Sequence, residues 1–431
     1  MAKIAIFTTF MKFDPWYSLT GIVKDQVRML TENDNEVFLF VNEQFDFKNN
    51  PFADNPRCTV LNSIPFAHLY DYQDGEALKT AHEITAQNMT AMCINMFNAY
   101  GIDTVFTHDI IFTGWNKPYA IGIQRIGDAL PGINWLHWIH SIPTQFKDWW
   151  QMRDYGPNHK LVYPNRTDAL RVAENYRTST SDVRTIPHIK DLRIMFDFLP
   201  ETCELINAYP ALMQADIVQI YPASSDRFEA KRVAEVIKIM AFIKRRGFAV
   251  CLFIANQWAT TPTHYANLEE YYQLGEQYGL VRGKDMIFSS LHINDNNVIP
   301  YRVGIPANIL TQLMMLSNLF IFPTSHETFG LVLPEVSLAS GALCVLNQSL
   351  GMMAEVGGGN TLYLPFGSYT NEFNVTDMDG LLDQYSAIIL GRMQENDSVL
   401  TRTFMRKRYN YDYLYDHYYE PIMAETKLHC A

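Results

Sequence analysis

Cysteine is scarce in this chain and arranged to no chemical purpose. Six occur in 431 residues (Cys58, Cys93, Cys203, Cys251, Cys344, Cys430), with no C-x-x-C pair and no zinc spacing. Cys251 and Cys344 lie inside apolar runs, as reduced core residues of a cytoplasmic protein do. No stretch of 18 or more apolar residues occurs, which argues against a membrane span. The opening MAKIAIFTTFMKFD lacks the long apolar block and cleavage site of a secretory signal. No G-x-G-x-x-G follows the first strand-like run, which argues against a nicotinamide or flavin oxidoreductase, and the GGGN at Gly357 reads as a loop. Positive charge is short as well. The 34 Lys and Arg face 46 Asp and Glu, a formal net charge of −12, which argues against a broad nucleic-acid-binding surface. Low-complexity segments, solenoid repeats and long linkers are missing too.

What is present is apolar bulk in a repeating order. Of all residues 48% are hydrophobic and 19% charged, and the length suits two domains rather than one. The first half alternates strand and helix: AKIAIF, a helix from about Gly21 to Asn33, EVFLFV, DTVFTHD and NWLHWIH. A seam falls near PHIKDLRIMFDFLPETC. A second series then runs ADIVQIYP, a helix from Phe228 to Arg246 with Val233, Val236, Ile237, Met240 and Ile243 on one face, FAVCLFIA, LEEYYQLGEQYG, DMIFSS, ANILTQLMMLSN, LFIFPT and ALCVL. Strands alternating with helices predict parallel sheets covered on both faces. The expected architecture is α/β: two doubly wound, Rossmann-like domains facing a cleft, one over 1–200 and one over 208–411. The tyrosine-rich tail, about 412–431, is expected to form a helix packed back on the first domain. Ligands belong at the carboxyl ends of the strands.

The most informative stretch is Ser325–Gly341, SHETFGLVLPEVSLASG, set between two buried strands. Glu327 follows the first strand, Gly330 permits a close turn, and a helix runs to about Ser340 with Pro334 tolerated in its first turn. The amides opening such a helix suit a phosphate. Glu335, with seven residues between it and Glu327, suits the vicinal hydroxyls of a ribose. Acidic pairs at this spacing also arise by chance among 46 acids, so the context carries the reading.

That context resembles the signature of the retaining glycosyltransferases of the GT-B fold, family 4 (group 1 type): a strand ending in proline, Glu-x-Phe-Gly-Leu, then a second glutamate before a glycine and a buried strand. Pro323, Glu327, Phe329, Gly330, Leu331, Glu335 and Gly341 supply it. Gly351 and Glu355-Val356 resemble the family's Gly-Gly-x-Pro-Glu-Val loop, with Met352 in place of the second glycine and Ala354 in place of the proline. YPASSDRFEAK resembles the segment supplying an arginine and a lysine to the donor diphosphate, which makes Arg227 and Lys231 the matching cations. In the first half, Gly21 matches the glycine under the phosphates. His140, ahead of His137 and His108, matches the histidine near the donor sugar. PHIKD resembles the family's seam motif without its Asn and Gly. The likeness is firm from about Asp216 to Leu364 and loose before that.

The resemblance implies transfer of a sugar from a nucleotide diphosphate sugar to a hydroxyl with anomeric configuration kept, needing no metal and no cofactor beyond that co-substrate. Arg227, Lys231 and His140 join Glu327 in the catalytic set, and Gly21, Phe329, Gly330, Leu331 and Glu335 bind the donor. The expected acceptor is a saccharide or a hydroxymethylated DNA base. The Asn-, Tyr-, Phe- and Met-rich composition resembles virus-encoded enzymes. Between Lys147 and Arg193 nine Lys and Arg face six Asp and Glu, and Lys147, Trp149, Trp150, Arg153, Lys160 and Arg166 are placed to contact phosphates and stack on an extruded base. Those tryptophans also read as core. Asp377-Met378-Asp379 resembles a metal-holding Asp-x-Asp but reads better as a helix start capped by Asp377 or Thr376. No lysine takes the cofactor role that a phosphorylase of similar architecture needs. A scaffold that binds a nucleotide sugar or a partner without turnover is the alternative, and the retained charged residues favour activity.

Overall fold

The computed structural model describes residues 2–64, 80–108, 117–140, 155–370 and 375–425. The chain divides into two compact units, Met1–Lys190 with Tyr411–Ala431, and Asp191–Asn410.

The first unit is built on a seven-stranded parallel sheet. Its strands are β1 (Lys3–Phe7), β2 (Glu36–Asn42), β3 (Cys58–Ile64), β4 (Thr104–His108), β5 (Asn134–Trp138), β6 (His159–Tyr163) and β7 (Val183–Thr185), in the spatial order β3-β2-β1-β4-β5-β6-β7. The strand period of two sorts KIAIF onto both faces. Ile4 and Ile6 join the core under α1 (Ser18–Glu32), whereas Ala5 and Phe7 join the core that includes Met89, Cys93 and Phe97 of α2 (Thr80–Tyr100) and Tyr119, Ile123 and Ile126 of α3 (Lys117–Ala129). The α1 face is closed by the tail. Tyr411, Leu414, Tyr419, Ile422 and Met423 belong to its core. Polar ties fix it there: Asn35 Nδ2 donates to Tyr415 Oη at 3.0 Å and Gln26 Nε2 to Tyr419 Oη at 3.1 Å.

The second unit has two three-stranded parallel sheets. They contain β8 (Ile217–Ser224), β9 (Val250–Gln257), β10 (Met286–Phe288), β11 (Leu319–Phe322), β12 (Leu343–Asn347) and β13 (Leu362–Leu364), in the orders β10-β9-β8 and β11-β12-β13. Strand β8 lies beside β11, and side chains replace part of the ladder between them. Fully buried Gln219 donates to the Ile321 carbonyl at 2.9 Å and accepts from the Ile321 amide at 3.1 Å. Asn318 accepts from the Val218 amide at 2.9 Å, and Ser317 Oγ from the Ile220 amide at 3.2 Å. The two sheets thus run on as one doubly wound order that reverses between β8 and β11. One continuous hydrophobic core joins them.

Some elements begin elsewhere than the sequence pattern places them. The helix expected from Phe228 starts at Val233 (α4, Val233–Arg245), because Arg232 at its N-cap takes a left-handed conformation, φ 51°. The next helix (α5, Pro262–Gln277) starts earlier than expected, with Thr261 capping the His264 amide and Pro262 in its first turn. Further along come α6 (Ala307–Met314), α7 (Val332–Ser340), α8 (Met378–Gln394) and α9 (Asp397–Arg408). Asp377 caps α8 by accepting from the Gly380 amide at 2.9 Å, while Asp379 pairs with Lys238 at 2.8 Å, so the Asp-x-Asp serves as a helix start. The tail forms helical turns over Tyr411–Leu414, Tyr415–Tyr419 and Glu420–Glu425, the middle one π-helical. Cys58, Cys93, Cys251 and Cys344 are buried free thiols, and the half-buried Cys203 thiol donates to the Phe198 carbonyl at 3.9 Å. Among the described residues no helix is long and apolar enough to cross a membrane.

Candidate active site

The reversal of strand order in the second unit brings two loops together, one leaving β8 and one leaving β11. After β8 the chain makes a tight turn over Ser225–Arg227 and continues through Lys231, whose amide donates to the Arg227 carbonyl at 2.9 Å. After β11 it runs Pro323-Thr324-Ser325-His326-Glu327. The Ser325 amide donates to the Ala230 carbonyl at 2.8 Å, and Ser325 Oγ to the same oxygen at 3.1 Å, which ties the loops.

Their charged side chains meet. Lys231 Nζ lies 2.6 Å from Glu327 Oε2, with 13% and 19% of the two side chains exposed, and 4.9 Å from the centre of the Phe322 ring. Glu327 Oε1 accepts from the Thr328 amide at 3.1 Å. Burial raises the Glu327 pKa, but the Lys231 ammonium, the Thr328 amide and Arg227 together outweigh it and hold the carboxyl below its ordinary value. Arg227 Nη2 donates to His326 Nε2 at 3.4 Å, and His326 Nδ1 lies 3.1 Å from Ser325 Oγ. The two cations and the acid therefore sit at one strand-end crevice, where a doubly wound sheet binds its ligands.

Gly330 has φ +78°, and a Cβ there would lie 3.3 Å from the Phe322 ring and 3.5 Å from Glu327 Cγ. That turn admits α7 beside the acid. Leu331 caps the helix through no side-chain bond, while the Leu333 amide donates to the Gly330 carbonyl at 2.8 Å and the Glu335 amide to the Leu331 carbonyl at 3.3 Å. Phe329 and Leu331 flank it, 50% and 70% exposed. Glu335 is exposed on the first turn of α7 and has no side-chain partner among the described residues. Glu355, on the short helix Gly351–Gly357, is exposed as well.

Two groups at these strand ends escape a reading of the sequence. Buried Asn347, the last residue of β12, donates to the Thr324 and Gly367 carbonyls at 2.9 and 2.6 Å and accepts from the Ser349 and Phe366 amides, 3.0 Å each. It fixes the floor of the Glu327 loop. Buried Asn256 does the same beside Arg227, donating to Ser225 Oγ at 3.1 Å and Ser290 Oγ at 2.7 Å. Their only signal is an amide inside an otherwise apolar run. One cavity adjoins the Arg227 turn and another lies apart from it. The first, of about 560 Å³, is lined by Asp226, Glu229, His264 and Glu270, and the second, of about 250 Å³, lies by Asp216 and Ile217, where β8 begins.

In the first unit, His140 stands two residues beyond β5 and joins a histidine cluster. His108 Nδ1 lies 2.8 Å from His140 Nε2, and the His140 and His188 rings stack at 5.2 Å. Burial, then His188, pushes the His140 pKa down to about 3, and burial chiefly holds His108 well below the ordinary value. His137 belongs to the core instead, bonded to Thr107 Oγ1 at 2.8 Å and to His159 Nδ1 at 2.9 Å. Gly21 lies in the first turn of α1 rather than in a loop, and a Cβ there meets nothing within 4 Å, so local packing does not require glycine. The acceptor-side candidates Lys147, Trp149, Trp150 and Arg153 lie outside the described residues.

Two Rossmann-like units in one chain, the second with its cations and acid at the strand-order reversal, are the build of the GT-B class. No protein-family model and no curated protein matches the chain. Among solved structures it is similar to a glycosyltransferase from Rickettsia africae, at 11% identity and a TM-score of 0.39 over 99% of this chain and 98% of that one. It is similar to Anabaena HepE in complex with UDP and glucose, at 12% identity and 0.36 over 98% and 100%. A third is sucrose-phosphate synthase from Thermosynechococcus elongatus, at 14% identity and 0.31 over 99% and 98%. These likenesses are faint.

Proposed function

We propose that this protein is a retaining glycosyltransferase that moves a sugar from a nucleotide diphosphate sugar to a hydroxyl acceptor. The observation that carries the reading is the meeting of Lys231 and Glu327, 2.6 Å apart, with Arg227 beside them where the strand order reverses. The difficult step is departure of the diphosphate from the anomeric carbon, which leaves positive charge on the sugar ring and negative charge on the phosphates. Arg227 and Lys231 are fixed cations for that developing negative charge, and the amides opening α7 add aligned dipoles. Glu327, held ionised by the same lysine, accepts hydrogen bonds from a sugar hydroxyl. Glu335, exposed on the first turn of α7, is the ribose contact. Neutral His140 hydrogen-bonds the sugar. The acceptor hydroxyl attacks on the face the diphosphate leaves, and a diphosphate oxygen takes its proton. No protein nucleophile and no metal take part in this scheme.

A saccharide and a hydroxymethylated DNA base are the two acceptors to try. The test is incubation with a set of UDP-, GDP- and ADP-sugars, with and without each acceptor, following nucleotide release and the anomeric configuration of the product. Acceptor-dependent release with retained configuration is the expected result. Inverted product overturns the mechanism. Binding of the donor without release under any condition leaves a nucleotide-sugar-binding scaffold in place of an enzyme.

A further inference from the structure

The first unit contains a hydrogen-bond chain that the reading above leaves unused. It starts in the tail, crosses α1 and ends at His140. Gln26, fully buried on α1, donates through Nε2 to Tyr419 Oη at 3.1 Å, and its Oε1 lies 2.9 Å from His108 Nε2. His108, 5% exposed, lies 2.8 Å from His140 Nε2 through its Nδ1. Tyr419 is 2% exposed and stacks on Trp138 at 5.9 Å.

With the Gln26 amide turned this way, Nε2 to Tyr419 and Oε1 to His108, proton counting gives one arrangement. An amide oxygen only accepts, so His108 Nε2 must carry the proton it shares with Gln26. A neutral imidazole has one N–H, so His108 Nδ1 is then bare and only accepts. The proton in the His108–His140 bond therefore belongs to His140 Nε2, which leaves His140 Nδ1 with a lone pair. We propose that Gln26, oriented by Tyr419, is a positioning residue that sets the tautomer of His140 through His108. Burial, which holds both imidazoles neutral, agrees with this. The catalytic consequence rests on the reading of His140 as a sugar contact, whereas the tautomer does not.

The experiment is long-range nitrogen–proton NMR on the full chain labelled with ¹⁵N-histidine, the two rings assigned by their loss in His108→Gln and His140→Gln. At pH 7 both rings are expected to show Nε2 protonated and Nδ1 bare. Gln26→Leu should abolish the single tautomer at His108 and lower kcat for nucleotide release about tenfold, with KM nearly unchanged. A protonated Nδ1 on His108, an imidazolium on either ring at pH 7, or tautomers unmoved in Gln26→Leu would overturn the proposal. Should Gln26→Leu not fold, the spectrum of the unaltered protein decides alone. If the spectrum is as expected and no nucleotide sugar is turned over, the relay stands and the functional reading falls.

Discussion

Replacing Lys231 by methionine tests the site most directly. Methionine retains much of the length and packing of the lysine stem against Phe322 but removes the charge 2.6 Å from Glu327. Two effects separate. The first is on folding. The pair is largely but not wholly buried, so it lies between an exposed ion pair, worth under about 1 kcal/mol, and a buried one whose breaking costs roughly 3–5 kcal/mol. A loss of about 2 kcal/mol in the second unit, a melting shift of roughly 4–8 °C, is expected. In a double-mutant cycle with Glu327→Gln, about half of that should appear as coupling. The second effect is on chemistry. Removing a fixed charge aimed at the developing negative charge should lower kcat by roughly 10²–10³. Calorimetry and initial rates of nucleotide release measure the two. Additive single mutants would refute the pair as a stabilising contact, and an unchanged kcat in a folded Lys231→Met protein would refute the diphosphate site. The pair also carries a pH signature. The Glu327 pKa is lower in the folded protein than its ordinary 4.5, so its stabilisation is complete above about 4.5 and fades as pH falls through the folded-state value.

Gly330→Ala should cost about 1–2 kcal/mol, because its φ of +78° is left-handed and the new methyl would approach the Phe322 ring; thermal melting measures it. Gln219→Leu should cost more, about 1–3 kcal/mol for each of the two Ile321 backbone groups it strands, and chemical denaturation should show it without a change in the first unit. The first unit should be acid-labile. His108, His137, His140, His159 and His188 all have folded-state pKa values below 6.5, so the unfolded chain binds more protons and stability falls as pH drops from about 6.5 toward 3. The expected slope is about 1.4 kcal/mol per pH unit for each imidazole, and a melting temperature flat between pH 7 and 5 would contradict it.

Periodicity made the strands and helices of both halves readable. Val233, Val236, Ile237, Met240 and Ile243 are all buried on α4, as their spacing predicts. It failed where backbone conformation overrides pattern. Nothing in FEAKRV announces that Arg232 turns left-handed, so the apolar spacing ran the helix back to Phe228. The Glu327 loop was legible because its glycine, its acid and the following helix each leave a mark on the sequence. That Lys231 would close on Glu327 was not, since 96 residues separate them and only the reversal of strand order brings their loops together. His108 beside His140 was hidden for the same reason, one ring ending β4 and the other standing just beyond the neighbouring β5.

The Tyr411–Glu425 stretch completes the core of a unit whose other residues end at Lys190. During synthesis the ribosome must therefore finish the whole Asp191–Asn410 unit before the first sheet receives its closing face. At ordinary elongation rates that is a wait of roughly 10–40 seconds. The later unit is contiguous, whereas through that interval Phe106 and Trp138 of the earlier one lack the Tyr419 ring that packs on them in the finished fold.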